Sequence, residues 1–352
     1  MLDIFLLKNS HTPLADEKSE ILESIALHAK SNGLINFDCS MEEADAMIIQ
    51  EKHSFKNFRY IRNLKNDPVF QKYAYKIFTI NKDPCATGLI KGLYYSLPKR
   101  RYNPDLYAIV PYFSLYNELV LQHTPQIAPN FLACWRGNTK SNKIRETLVK
   151  LFYNDPDFDI QTTTSWYDHN IAEKELYKKS LLNAKFSLCP AGWAANSYRI
   201  YESMAVGKCP VIIADEYVPP SGPDWTTFSI VVPENKIKYL HQILTKREAN
   251  YERLGEKAYQ AWENFFSPQN VCGYYTTQLI NLIEASAPST VRDEFKRWGS
   301  FSMFYNNNWT IPQRALNKMN KKINLLVKKV RELKKPSVIN PRFEASLRPD
   351  RG

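Results

Sequence analysis

No stretch of this 352-residue sequence approaches the ~18 consecutive apolar residues of a membrane-spanning helix. The opening residues, MLDIFLLKNS, have no basic leader and only a very short apolar run. That argues against a signal peptide and for a first β-strand. Cysteine is sparse: Cys39, Cys85, Cys134, Cys189, Cys209 and Cys272 form no CxxC pair and no Cys/His cluster of zinc spacing. This excludes a zinc finger, and it predicts reduced thiols in a cytoplasmic protein. GxGxxG is absent, so a dinucleotide-binding fingerprint is not supported.

A surplus of either charge is missing from most of the chain as well. The formal net charge is +11 and the pI about 9.2. From Val291 onward, however, there are 15 Lys+Arg against 5 Asp+Glu, which leaves 32 against 31 in the preceding residues. The basicity belongs to a C-terminal tail, not to the body. A basic nucleic-acid-binding protein is therefore a weak reading, since no RNP, helix-turn-helix or zinc pattern accompanies the charge.

What is present is a repeated strand–helix alternation. DIFLL reads as a strand, ADEKSEILESIALHAKSNG as an amphipathic helix ending at Gly33, and ADAMIIQ and KIFTIN as buried strands. A polar linker, LQHTPQIAPN, follows, and the alternation restarts at FLACWRGN. KFSLC, CPVIIA and FSIVV read as strands, and KIKYLHQILTKREANYERLGEKAYQAWENFF as helical over most of its length. Two αβ halves joined by a linker predict parallel sheets and a binding cleft between them.

The stretch FSLCPAGWAANSYRIYESMAVGKCPVIIADEYVPP carries the most specific chemistry. It reads strand, small-residue loop, helix, strand, with Asn196 or Ser197 able to cap the helix. The first N–H groups of such a helix favour an anion, and small residues let that anion approach the backbone. Arg199 in the first turn can add a full positive charge to a diphosphate. Glu202, one turn on, can accept hydrogen bonds from the vicinal hydroxyls of a ribose. On spacing alone an Arg and a Glu three apart also read as a solvated surface pair.

Residues 181–234, with SLCPAG, SYRIYES, GKCPVI, Asp215 and WTTFSIVVPE, resemble the signature block of exostosin-like glycosyltransferases, which reads roughly as a strand, CLCPxG, a short loop, SxRxxEA, GCxPVI, an Asp, and W..FSVxVPE. The segment ACWRGNTKSNKIRETLVKLF is similar, more loosely, to the family's RG…R..L entry into the C-terminal domain. The resemblance implies an α/β GT-B fold, two Rossmann-like domains facing across a cleft. It divides the chain into an acceptor-binding domain over 1–125, a nucleotide-sugar-binding domain over 126–288, and a basic tail over 289–352. It implies transfer of a hexosyl or pentosyl group from a nucleotide sugar, with UDP the expected nucleotide, to a hydroxyl of a glycan, with inversion. A non-catalytic nucleotide- or glycan-binding protein of the same fold is the alternative.

Carried over to this sequence, the resemblance places Arg199 on the diphosphate, Glu202 on the ribose, and Ser197 at the phosphate-binding helix start. Arg136, Gly137 and Gly192 would reach the donor from the neighbouring loops. Where the family often has Arg and Asp in the small-residue loop, this chain has Ala191 and Trp193, and one expected phosphate contact is missing.

Inverting transfer needs a general base on the acceptor hydroxyl. Strand-end loops of the first half offer Glu51 and His53 after ADAMIIQ and Asp83 after KIFTIN. Asp83 is preferred and His53 comes next, although each singly also reads as a solvated loop residue. Asp155, Asp157 and Asp159 have the look of an Asp-x-Asp metal motif, but their place between elements reads as a turn. No metal and no cofactor are expected, because a helix N-terminus with an arginine can neutralise the leaving group.

In the tail, Leu316, Met319, Ile323, Leu326, Val330 and Leu333 recur at spacings of three and four among lysines. An amphipathic helix over 312–335 is predicted. It would dock on the body, pair as a coiled coil, or bring the protein to an anionic membrane surface and a lipid-linked acceptor.

Overall fold

The computed structural model describes residues 1–51, 58–122, 128–164 and 170–300, with five single positions beyond them. The first half contributes strands β1 (Leu2–Leu7), β2 (Ile35–Asn36), β3 (Ala46–Gln50), β4 (Ile77–Asn81), β5 (Lys91–Tyr94) and β6 (Tyr107–Ile109). They form one parallel sheet in the order β2-β1-β3-β4-β5-β6. Helices α1 (Glu20–Ser31), α2 (Phe58–Asn66) and α3 (Pro68–Tyr73) lie between its strands in the chain. All five residues of β3 and of β4 are buried, as expected of strands covered on both faces.

The second sheet is built from β7 (Phe131–Gly137), β8 (Phe158–Thr162), β9 (Ala184–Pro190), β10 (Cys209–Ile213) and β11 (Ile230–Val232). It is also parallel, in the order β11-β10-β9-β7-β8. Around it run α4 (Lys143–Phe152), α5 (Ile171–Leu182), α6 (Tyr198–Ala205), α7 (Leu240–Thr245) and α8 (Tyr251–Ala261). Gly207, at φ 68°, takes the left-handed conformation that ends α6 and turns the chain into β10. Two such αβ layers facing one another form the GT-B architecture that the resemblance implies.

Strand order places the site. From β7 the chain goes to β8 on one side, then crosses to β9 on the other. The loops leaving β7 and β9 therefore diverge, and a crevice opens at the carboxyl ends of these two strands.

Two expected features differ in detail. The long helix expected after β11 is broken into a 3-10 segment (Glu234–Tyr239), α7, a second 3-10 turn (Glu248–Asn250), α8 and a π turn (Trp262–Phe266). The π turn seats both Trp262 and Phe266 in the core. Residues 271–298, which the sequence reading divides between the second domain and the tail, return to the first sheet. Helix α9 (Val271–Ala285) packs on α1, β5 and β6, and α10 (Val291–Trp298) packs against α3. Trp298, 1% exposed, sits edge-on to Phe70 with ring centroids 6.0 Å apart. The expected tail helix over 312–335 lies outside the described residues except at Met319, Lys322, Ile323 and Leu326, which are helical.

Candidate functional site

A cavity of about 240 Å³ opens at the carboxyl ends of β7 and β9. The first half supplies Tyr112, Tyr116 and Asn117 to its wall, and the second half supplies Arg136, Gly137 and Gly192 with the first turns of α4 and α6. Ser197 is the N-cap of α6: its Oγ accepts from the Arg199 N–H at 3.4 Å. Arg199 does not point to bulk water. Its Nη2 donates to the Arg136 carbonyl at the end of β7, and its guanidinium faces Tyr177 and Trp135 at 5.4 and 5.8 Å from the ring centres.

Gly137 makes room for that reach. A Cβ there would lie 3.2 Å from Arg199 Nη2 and equally close to Trp135. Burial works against the Arg199 charge, but Tyr177, Cys189 and Glu202 around it raise its pKa overall. Arg136 is committed elsewhere, donating to Gln161 and pairing with Glu173. Glu202 is 4% exposed, and its Oε1 accepts from the Asn117 backbone N–H at 2.8 Å. Burial lifts its pKa, and the Asn117 N–H, Arg199 and Tyr177 only partly offset that.

The cavity thus gathers a helix start, a guanidinium and a buried carboxylate, the set that the stretch over 186–220 predicts. A family model, the Exostosin GT47 domain, matches residues 72–247, half of the chain and all of the cavity wall. This chain belongs to the exostosin GT47 family. Over 111 residues it is 37% identical to the probable glucuronosyltransferase GUT1 of Oryza sativa subsp. japonica, an alignment covering 31% of this chain and 24% of that protein. It is 38% identical, also over 111 residues, to the probable beta-1,4-xylosyltransferase IRX10 of Arabidopsis thaliana, covering 31% and 25%. The match therefore spans about a quarter of the length of these relatives. Among solved structures, WaaG, a glycosyltransferase of lipopolysaccharide biosynthesis, aligns over 81% of this chain and 100% of its own at 10% identity, with a TM-score of 0.39.

In this exostosin-family chain the sequence reading missed Arg145. It stands in the first turn of α4, and its guanidinium donates to the carbonyls of Ala191 (3.0 Å), Asn138 (3.2 Å) and Pro190 (3.4 Å). Gly192 leaves space for it, since a Cβ would lie 2.8 Å from Arg145 Nη2. The signal was in RGNTKSNKIR, where a second arginine follows Arg136 at the mouth of a helix. The aromatic wall was missed too. Tyr112 stacks on Tyr198 with centroids 3.6 Å apart, and its hydroxyl donates to the Asn196 carbonyl at 3.2 Å, tying the halves together. Only their separate positions in the sequence hid this pairing.

The three base candidates fare differently. Glu51 is 4% exposed and does not line the cavity. It accepts from Tyr60 Oη (2.6 Å), Asn81 Nδ2 (2.7 Å) and Thr79 Oγ1 (2.9 Å) inside the first domain. A carboxylate so enclosed ties the end of β3 to β4. His53 lies outside the described residues. Asp83 follows β4 in a loop whose next residue, Pro84, is part of the cavity wall, and it accepts from the Cys85 N–H at 2.8 Å.

The Asp155–Asp159 loop stands at the amino end of β8, away from the cavity. Asp157 meets His241 at 2.9 Å, and Asp159 accepts from Gln161 and Ser180. No group of three or more metal-ligating side chains is found among the described residues.

Proposed function

We propose that this protein is a glycosyltransferase that moves a hexosyl or pentosyl group from a nucleoside diphosphate sugar to a hydroxyl of a glycan, with inversion and without a metal ion. The observation that carries this is the convergence of Ser197, Arg199 and Glu202 on one cavity at the switch point of the second sheet. The relatives' names, glucuronosyl- and xylosyltransferase, fit the reaction class.

In this reading the donor's ribose hydroxyls donate to Glu202, and its diphosphate lies at the start of α6. As the bond from the anomeric carbon to the phosphate oxygen breaks, its electron pair stays on the diphosphate. Arg199 and the N–H groups of the helix start stabilise that charge. The acceptor oxygen attacks from the opposite face and forms the new bond, and its proton passes to the Asp83 carboxylate. UDP is the nucleotide we assign. For residues 312–335 we propose contact with an anionic membrane, supported by the three–four apolar spacing and by Lys318, Lys321, Lys322, Lys328, Lys329 and Lys334.

A thermal-shift panel of UDP, GDP and CMP and their sugars, with EDTA present, tests the reading. Stabilisation by UDP alone is expected. Stabilisation that vanishes in EDTA and returns with Mn²⁺ would overturn the metal-free chemistry. Nucleotide binding with no transfer to any glycan would favour the non-catalytic alternative.

A further inference from the structure

The small-residue loop between β9 and α6 puts one large side chain on the cavity wall. Trp193 is 45% exposed, the most exposed of the aromatic residues there. Single apolar side chains in water are ordinary, so the backbone that carries this one decides what it can do. Every carbonyl from Pro190 to Trp193 has a donor. Arg145 donates to Pro190 (3.4 Å) and Ala191 (3.0 Å), and Asn142 Nδ2 donates to Gly192 (3.2 Å). The Gly192 N–H donates to the Ala194 carbonyl at 2.9 Å, which draws the chain back on itself with Trp193 at the tip. The Trp193 carbonyl accepts from Cys85 Sγ at 3.7 Å, a contact between the two halves. Burial pushes the Cys85 thiol up to about 11, so it stays protonated and donates. An aromatic face held still before a ligand arrives loses no loop entropy on binding.

The thiol contact also ties the indole to the loop of the proposed base. The Asp83 carboxylate accepts from the Cys85 N–H at 2.8 Å, and Pro84 between them lines the same cavity as Trp193. The ribose is assigned to Glu202, which is 4% exposed and marks the closed end of the cavity. A glycan whose chain continues into solvent needs the open part of the wall instead, with one hydroxyl near Asp83. Trp193 is that open part. A pyranose with equatorial hydroxyls turns its C–H groups to two flat faces. Such a face can cover an indole and leave the hydroxyls at the rim in water.

We propose that Trp193 is a stacking platform for a pyranose ring of the acceptor, in a chain of equatorial gluco or xylo configuration. The second half, to which the donor is assigned, then also holds the glycan that attacks the donor. The proposal rests on the glycosyltransferase reading of the same cavity. Trp193 binds and orients the ring, and the hydroxyl that reacts is presented to the Asp83 loop because Cys85 fixes the two loops against each other.

Calorimetric titration of wild type, Trp193→Ala and Trp193→Phe tests this, with UDP alone and with xylotetraose, cellotetraose and arabinotetraose in the presence and absence of UDP. Wild type is expected to bind xylotetraose or cellotetraose but not arabinotetraose, whose five-membered rings offer no such flat face. Trp193→Ala should weaken the pyranose tetrasaccharide by about tenfold or more and UDP by less than about twofold. Trp193→Phe, with a smaller face, should keep part of the affinity. Both variants should melt close to wild type, because the indole is half-exposed. Equal losses for UDP and tetrasaccharide in both variants would show that Trp193 only shapes the loop, and would overturn the platform. So would an unchanged tetrasaccharide affinity in Trp193→Ala, or a wild type that binds UDP and none of the three sugars. Equal binding of arabinotetraose would overturn the pyranose assignment. Tetrasaccharide binding that depends on Trp193 in a protein that does not bind UDP would keep the platform and overturn the nucleotide reading. Failure to bind UDP and every tetrasaccharide would overturn both.

Discussion

Glu202 and Asn117 are joined by a 2.8 Å hydrogen bond from the Asn117 backbone N–H to the Glu202 carboxylate. Asn117 belongs to the segment that connects the two halves, and its side chain also donates to the Lys174 carbonyl at 2.8 Å. The carboxylate that we assign to the ribose is therefore also what the connecting segment leans on. Any substitution at Glu202 touches ligand binding and the seating of that segment together.

Glu202→Gln keeps an acceptor for the Asn117 N–H but loses the charge. UDP affinity is expected to fall by about 1–3 kcal/mol, the range for hydrogen bonds to a charged group, and uridine affinity by a similar amount. Titration calorimetry with both ligands reads this. A loss for UDP alone would move the residue from the ribose to the phosphates.

Arg199→Ala is expected to lower the turnover number more than it weakens UDP binding, because negative charge on the diphosphate is greatest as the glycosidic bond breaks. Steady-state rates set beside UDP affinities separate the two effects. Equal losses in both would assign Arg199 to ground-state binding alone.

The raised pKa of Glu202 gives the pH dependence a definite sign. On acidification the carboxylate takes up its proton above the ordinary value of 4.5, so uridine affinity should begin to fall before exposed carboxylates titrate. Stability moves the other way for this group. The folded state binds the proton more readily than the unfolded one, so lowering the pH through this window removes the cost of burying the charge. Affinity and melting temperature measured over the same pH range should therefore diverge. In the Glu202→Gln variant the affinity decline should disappear.

Asp83 and Glu51 make opposite predictions. Asp83→Asn should abolish transfer and leave UDP affinity intact. Glu51→Ala strips the partner from Tyr60, Thr79 and Asn81, and leaving buried donors unsatisfied costs about 1–3 kcal/mol each. Its signature is a large drop in melting temperature. A stable Glu51→Ala protein that is inactive would falsify the structural role assigned to Glu51.

Gly255 in α8 lies against the turn at Gly207, where an added Cβ would stand 2.1 Å from the Gly207 carbonyl oxygen. Backbone cannot yield as a side chain can, so Gly255→Ala should destabilise the protein by about 2 kcal/mol or more. Denaturant unfolding measures it, and a neutral result would mean that α8 can slide away from the α6–β10 turn.

Much of the fold could be read directly because its elements carry their own patterns. AMIIQ, KIFTIN and CPVII are strands buried on both faces, and their apolar runs need no partner to be recognised. The motif around Ser197, Arg199 and Glu202 was legible for the same reason: cap, cation and carboxylate are set within one short helix. Tertiary structure decided the rest wherever a residue's role depends on a distant partner. Strand β5 holds a lysine, and Lys91 is tolerated there, 4% exposed, because α10 brings Glu294 to 3.8 Å from it across just over two hundred residues of chain. Its neighbour Gly92 allows a backbone approach in which a Cβ would fall 2.0 Å from the Thr79 carbonyl oxygen. Edge strand β8 alternates buried and half-buried residues over only four positions, Phe158 to Gln161, too short a pattern to read in advance. Glu51 looks like any loop carboxylate until Tyr60, Thr79 and Asn81 close around it. Arg145 looks like a surface residue of an amphipathic helix until the crossover between β7 and β9 turns it onto the neighbouring loop. Local pattern fixes what a segment can form, but the charge balance of a site comes from segments that meet only after the chain has folded.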